Sequence, residues 1–299
     1  MSRSSNEQII WDKVIGKIKF VGNDDFHLYE WVKSGVRQAS VTTKMILEKP
    51  FLYDYSAKKA FEYLEAEGFS SINLGNRDIH LANAIDARKV VLRDSADNVG
   101  TPSHDVIEAY IKDWIKNGVL PNDITTYIDK KYVYDSELKK DVEVTDPRIY
   151  ACVRSAENWF KKMKDKIRPL FAEIIVGDER YSAGKIDFVF EFIADNSVNV
   201  MDWKTSNDVY DDNALQASAY ANFLTHMTGL KVGAYVAHLS KDRDEYKIYK
   251  VGDLKNTYSA FKAVCKVYDW KHNGREKLIK DRTIYDTTGK RNATHLREC

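Results

Sequence analysis

Three consecutive apolar runs decide the fold: LFAEIIVGDERY (170–181), GKIDFVFEFIAD (184–195) and VNVMDWKT (198–205). Each is rich in Val, Ile and Phe, and the cluster Ala194-Asp195-Asn196-Ser197 between the last two reads as a turn. The segment ahead of them, RIYACVRSAENWFKKMKDKI (148–167), carries apolar residues at three- and four-residue steps and opens on Asp146-Pro147, a helix start. A helix from Asp212 to about Met227 follows, then strands KVGAYVAHL (231–239) and YKIYKV (246–251), then the helix DLKNTYSAFKAVCKVYDW (253–270). From about 148 to 270 the order is therefore α-β-β-β-α-β-β-α, a three-layer α/β core.

Upstream, VTTKMILEK (41–49), SAKKAFEYLEAEG (56–68) and SHDVIEAYIKDWIKNG (103–118) have helical spacing, with Gly68 and Gly118 at C-cap positions. Thr101-Pro102-Ser103 reads as a start capped by Ser or Thr. Residues 121–147 form a polar excursion with short strand-like pieces TTYI, KYVY and VEV. The expected division is a mainly helical region over 1–147, the core over 148–270 and a basic tail over 271–299.

The 299 residues include 6 Trp, 18 Tyr and 12 Phe, enough apolar area to exclude disorder as the main state. Lys and Arg number 46 against 45 Asp and Glu, so no global field points to nucleic acid or membrane, and either partner would need a local patch. Three scattered cysteines, Cys152, Cys265 and Cys299, suit neither a disulfide scaffold nor a zinc knuckle. The opening MSRSSNEQIIWDK lacks an apolar signal core, and the stretch from Leu215 to Leu230 is too short and polar to span a bilayer. A cytoplasmic protein with no membrane partner is expected.

Asp187 stands in an otherwise apolar strand, where an unpaired carboxylate is costly. Asp202 and Lys204 are two apart on the next strand, so both leave the same face. If 194–197 closes a hairpin, Asp187 and Asp202 become neighbours, and two such carboxylates repel unless a cation lies between them; oxygen ligands suit Mg²⁺ or Mn²⁺. Taken alone, D-x-K favours a buried Asp–Lys pair with a second Asp capping a turn, since such triplets are common.

The wider pattern resembles the PD-(D/E)XK nuclease superfamily in its RecB-like branch. Its G-x-x-D strand is matched by Gly184-Lys185-Ile186-Asp187, its D-x-K-T strand by Asp202-Trp203-Lys204-Thr205, and its Q-x-x-x-Y helix by Gln216 to Tyr220. Glu173 matches the upstream acid, and Gly100-Thr101-Pro102-Ser103-His104 with Ile107-Glu108-Ala109-Tyr110 is similar to the G-T-x-x-H-x-x-I-E-x-Y element of the exonucleases. Ser40-Val41-Thr42-Thr43, then Lys49 to Tyr53, Lys58 and Lys59 are similar to the opening of phage exonucleases and of the mitochondrial genome maintenance exonuclease.

The resemblance implies a restriction-endonuclease-like core with a mixed central sheet and metal-dependent DNA hydrolysis in recombination, repair or degradation. It implies that His104, Asp187, Asp202 and the backbone carbonyl of Trp203 hold one or two ions of Mg²⁺ or Mn²⁺, while Glu173 binds a second ion or orders the other ligands. Lys204 would position the attacking water, Gln216 would orient Lys204, and Tyr220 would pack against the sheet or touch DNA. Arg93 would hold a phosphate. Lys161, Lys162, Lys164, Lys166 and Arg168 end one helix, and the tail from Lys271 to Arg291 is basic; both are candidate DNA contacts or merely solvated faces. A single-strand-binding or recombination protein is a further expected partner. Relatives with an iron–sulfur cluster use four cysteines, so none is expected here, and no G-x-x-x-x-G-K-[ST] stretch indicates a nucleotide cofactor. The alternatives are a structure-specific endonuclease on the same core, a non-catalytic DNA-binding scaffold and an RNA-directed nuclease.

Overall fold

The fold is a computed structural model that describes residues 10–22, 27–45, 64, 79–80, 83, 99–135, 140–143, 145–206, 208–274, 284–285 and 291–292. Five strands build the central sheet: β6 (Ile167–Asp178), β7 (Ser182–Phe192), β8 (Val198–Lys204), β9 (Val232–Leu239) and β10 (Tyr246–Lys250), in the order β10-β9-β8-β7-β6. β6–β7 and β7–β8 are antiparallel hairpins, β8–β9 is parallel, and β10 returns antiparallel on β9. The 194–197 cluster makes the expected turn: the Ser197 N–H donates to Asp195 Oδ1 at 3.0 Å, and Asn196 takes φ 54°. A parallel neighbour needs a crossover, supplied between β8 and β9 by α4 (Asp211–Thr228).

Both sheet faces are covered, which is why the strands read as nearly continuous apolar runs. One face packs on α4 and α5 (Leu254–Asp269), through Val198, Val200, Ala234, Val236, Phe223 and Phe261. α4 is buried on several sides because it lies between the sheet and α5; Ala217, Ser218, Ala219 and Ala221 keep it narrow enough. The other face packs on α2 (Thr101–Asn117) and α3 (Pro147–Met163) through an aromatic cluster of Trp159, Phe160, Phe188, Phe190 and Trp203. Burying each such ring contributes roughly 1.5–3 kcal/mol. Cys152 and Cys265 lie in the two opposite cores.

The helix ends follow their residues. Gly118 closes α2 at φ 70°, and Asp146 caps α3 by accepting the Arg148 N–H at 2.9 Å, with Pro147 in the first turn. The start of α2 differs from expectation: the N-cap is Gly100, which has no side chain to offer, and the Ser103 hydroxyl instead donates back to the Val99 carbonyl at 2.6 Å.

The N-terminal part also differs. Residues 18–39 form an antiparallel meander of β1 (Ile18–Phe20), β2 (Leu28–Trp31) and β3 (Arg37–Ala39), followed by the short helix α1 (Val41–Lys44). TTYI is not a strand: Ile124–Tyr127 is a 3-10 turn, since Asp123 accepts the Thr125 N–H at 2.8 Å and winds the chain. KYVY and VEV do form a hairpin, β4 (Tyr132–Asp135) with β5 (Lys140–Glu143). The rest of the helix expected over 41–49, the one over 56–68, the motif residues Lys49 to Lys59, and residues 275–283 of the tail lie outside the described residues. Among the described residues no helix is long and apolar enough to cross a membrane.

Candidate active site

The β7–β8 ladder pairs Phe188 with Met201 through Glu191 with Val198, and stops one residue short of Asp187. Beyond that point β7 leaves β8, and its Ser182–Ala183 end is joined instead by Ser40, which bridges to Ala183. The Asp187 carboxylate enters the gap and its Oδ2 accepts the Trp203 N–H at 2.8 Å, taking the place of a ladder carbonyl. On the other side of β7, Ala172 pairs with Phe188 and Ile174 with Ile186, leaving Glu173 opposite Asp187. Glu173 has φ 58°, a left-handed conformation that costs a residue with a side chain about 1–2 kcal/mol. Such strain within a strand marks a place where side-chain direction matters more than regular pairing.

His104, in the first turn of α2, completes the cluster, with Nδ1 3.6 Å from Asp187 Oδ2. One ligand atom each from His104, Glu173 and Asp187 lie within 4.8 Å of one another. The two distant motifs also touch: a Cβ on Gly100 would sit 3.5 Å from Thr205 Oγ1, so the Gly-Thr turn lies against the end of β8.

Asp202 and Lys204 share one face of β8, and their Oδ2 and Nζ are 2.6 Å apart. Lys204 Nζ donates to Gln216 Oε1 at 3.1 Å, and Gln216 Nε2 donates to the Tyr220 hydroxyl at 3.1 Å. Gln216 and Tyr220 are one turn apart on α4, which lets one helix face serve both bonds. The Tyr220 ring rests on Gly184, where a Cβ would fall 2.7 Å from Tyr220 Cε1. The glycine that begins G-K-I-D thus makes room for the tyrosine that ends Q-x-x-x-Y. Gly184→Ala is expected to lower stability by about 1–3 kcal/mol through this overlap, read from denaturant melts. Tyr220→Leu in the same chain should recover part of the loss; full additivity of the two changes would refute the contact.

Burial governs the charges. It pushes the carboxyls of Asp187 and Asp202 up to about 6, against the pull of Lys204. Burial works against the Lys204 ammonium too, but Asp202 and Asp187 together hold its pKa above the ordinary lysine value. His104 is pushed down to about 4, first by burial and then by the Lys204 charge, so near neutrality its ring is uncharged and has a lone pair to offer. Burial raises the Tyr220 hydroxyl well above the usual range.

No family model matches the chain, and no curated protein matches it. Among solved structures, a "Putative exonuclease" from Eubacterium rectale overlaps with a TM-score of 0.35 at 13% identity, covering 57% of this chain and 68% of that one. SSO0001 overlaps with a TM-score of 0.28 at 11% identity, covering 57% of this chain and 75% of that one. What the site can do follows from its own geometry.

The remaining candidates are placed elsewhere. Tyr220 is 4% exposed with its hydroxyl engaged by Gln216, so it packs against the sheet and is not open to DNA. The Trp203 ring is buried in the aromatic core on the opposite face from Lys204. Lys161 pairs with Glu157 at 2.8 Å, Lys162 lines an apolar surface cavity of about 350 Å³ with Trp159, Phe190 and Tyr235, and Lys164 caps α3. These lysines are at the β7–β8 turn end of the sheet, roughly 15 Å along the strand from Asp187 at ~3.3 Å per residue, so they do not border the acidic cluster. Arg93 lies outside the described residues. One participant was not marked in the sequence as functional: Lys185, whose ammonium pairs with Glu173.

Proposed function

We propose that the chain is a divalent-cation-dependent nuclease that hydrolyses DNA phosphodiester bonds, and that it works as an exonuclease in DNA recombination, repair or degradation. The observation that carries this is the convergence of His104, Glu173 and Asp187 beside the Asp202–Lys204–Gln216 chain. The residues present fit a cation. Glu173 Oε2 and Asp202 Oδ2 are buried, and among the described residues each is met by a lysine ammonium, Lys185 and Lys204, as its counter-charge. Such oxygens are costly unless something charged takes them up. Carboxylates with one neutral imidazole suit Mg²⁺ or Mn²⁺. His104, Asp187 and Asp202 would hold the ion with the Trp203 carbonyl, and Glu173 would complete the set or hold a second ion.

When bound, the ion supplies Lewis-acid polarisation of a phosphate and lowers the pKa of a ligand water. The chain does the rest by position. The Trp203 N–H fixes one Asp187 oxygen and so orients the other. Lys204, protonated near neutrality and one-fifth exposed, would offset negative charge gathering on a phosphate. Its charge state makes it a donor that orients the attacking water, with the proton of that water passing to solvent. Gln216 holds the ammonium in line, and Tyr220 on Gly184 holds Gln216. The preference for ends is supported by the resemblance of the His104 element to that of RecB-like exonucleases.

End-labelled linear DNA and a covalently closed single-stranded circle, each with Mg²⁺ or Mn²⁺ and an EDTA control, test the proposal. Metal-dependent loss of the linear strand with the circle intact is expected. Cutting of the circle would make the chain an endonuclease, and no hydrolysis of DNA with either metal would overturn the assignment.

A further inference from the structure

The β7 triplet Lys185-Ile186-Asp187 is the reverse of the β8 triplet Asp202-Trp203-Lys204, and each places a lysine and an acid on one strand face. Lys204 answers to Asp202, whereas Lys185 reaches across to β6 and pairs with Glu173. The Glu173 side chain is 10% exposed, while that of Lys185 is 50% exposed. A buried acid of the cluster is therefore matched by an ammonium standing at its rim. The charge of Lys185 also bears on the other two members, lowering the proton affinity of Asp187 and of His104.

Resting on the metal-centre reading above, we propose that Lys185 is a resident counter-cation: it neutralises Glu173 in the metal-free protein, is displaced when a divalent cation takes that carboxylate, and then meets a backbone phosphate of the DNA strand. A cation entering the His104–Glu173–Asp187 cluster must compete with the ammonium for Glu173 and is repelled by it at short range. Once released, a half-exposed lysine beside a site for a phosphodiester has an anion to pair with. Glu173, fixed by its left-handed backbone, stays; the flexible lysine moves.

The two halves predict opposite signs. Calorimetric titration of the full chain with Mn²⁺ at pH 7.5 should show Lys185→Gln binding the metal about tenfold more tightly than the parent. Binding of a single-stranded oligonucleotide in the presence of Ca²⁺ should become weaker, with the slope of log K against log salt smaller by about 0.7. Lys185→Arg keeps the charge and should stay within about threefold of the parent in both measurements. A variant that merely loosens the site would weaken both, and that result, or unchanged Mn²⁺ affinity, overturns the role of Lys185 while leaving the metal centre standing. Failure of the parent itself to take up Mn²⁺ would overturn the metal centre and this role together.

Discussion

Lys204→Ala is expected to reduce DNA hydrolysis by about 10³-fold or more while leaving Mn²⁺ uptake and DNA binding largely in place. The expectation rests on where the ammonium sits. It lies 2.6 Å from Asp202 Oδ2 and 3.1 Å from Gln216 Oε1, so it is held in one orientation before any substrate arrives. A donor fixed in advance and aimed at developing charge accounts for factors of about 10²–10³ by itself, and more when it also orients the nucleophile. The substitution removes a cation from two acids, so the metal-free variant should melt at lower temperature than the parent. Metal uptake should survive because His104, Glu173 and Asp187 bring ligand atoms within 4.8 Å of one another without Lys204. Lys204→Gln separates charge from contact: it retains a donor near Gln216 but no charge, and it should be as inactive as the alanine variant. Near-parental cleavage by either, at equal metal occupancy, would remove Lys204 from the chemistry.

Strand and helix placement in the core was legible because burial dictates it. Sheets covered on both faces need unbroken apolar strands, and 170–205 has three such runs separated by Asp178–Tyr181 and Ala194–Ser197. The neighbourhood of Asp187 and Asp202 followed from that hairpin. The N-terminal meander was not legible: β1, β2 and β3 are three or four residues long, too short to express a period, and are held by packing of Ile18, Tyr29 and Trp31 with Ala183. TTYI has β-branched content, but a single capping aspartate outweighed it. Nor could pattern reveal the backbone of Glu173, since a left-handed residue other than glycine has no compositional sign. The Glu173–Lys185 pair is likewise tertiary, because nothing in G-K-I-D distinguishes a solvated lysine from one that neutralises an acid on the next strand.

The same buried acids set a pH dependence opposite in sign to the usual carboxylate case. Asp and Glu that gain partners on folding normally lose protons more readily, and the native state is then weakened by acid. Here burial raises Asp187 and Asp202 to about 6, above the ~3.9 of an unfolded chain. Between about pH 4 and 6 the folded protein binds more protons than the unfolded one at these two positions, so their contribution to stability falls as pH rises through that window. Above it the full cost, on the order of a few kcal/mol for the pair, is present. A divalent cation removes that cost, and below pH 6 it must first displace the protons. At a Mn²⁺ concentration near 100 times its dissociation constant at pH 7.5, the gain is about 2.7 kcal/mol. For a chain of 299 residues, that corresponds to a rise in Tm of about 4 °C. At pH 5 and the same Mn²⁺ concentration the rise should shrink to about 1 °C or less, because two protons then compete for the ligand oxygens. Comparing melts with and without Mn²⁺ at each pH cancels every titration outside the site. Asp187→Asn should abolish most of the rise at pH 7.5 and raise the metal-free Tm there, since it removes one of the two buried charges. Equal Mn²⁺ effects at both pH values, or a metal-free Asp187→Asn variant less stable than the parent at pH 7.5, would show that the acids are not the strained, cation-seeking pair described above.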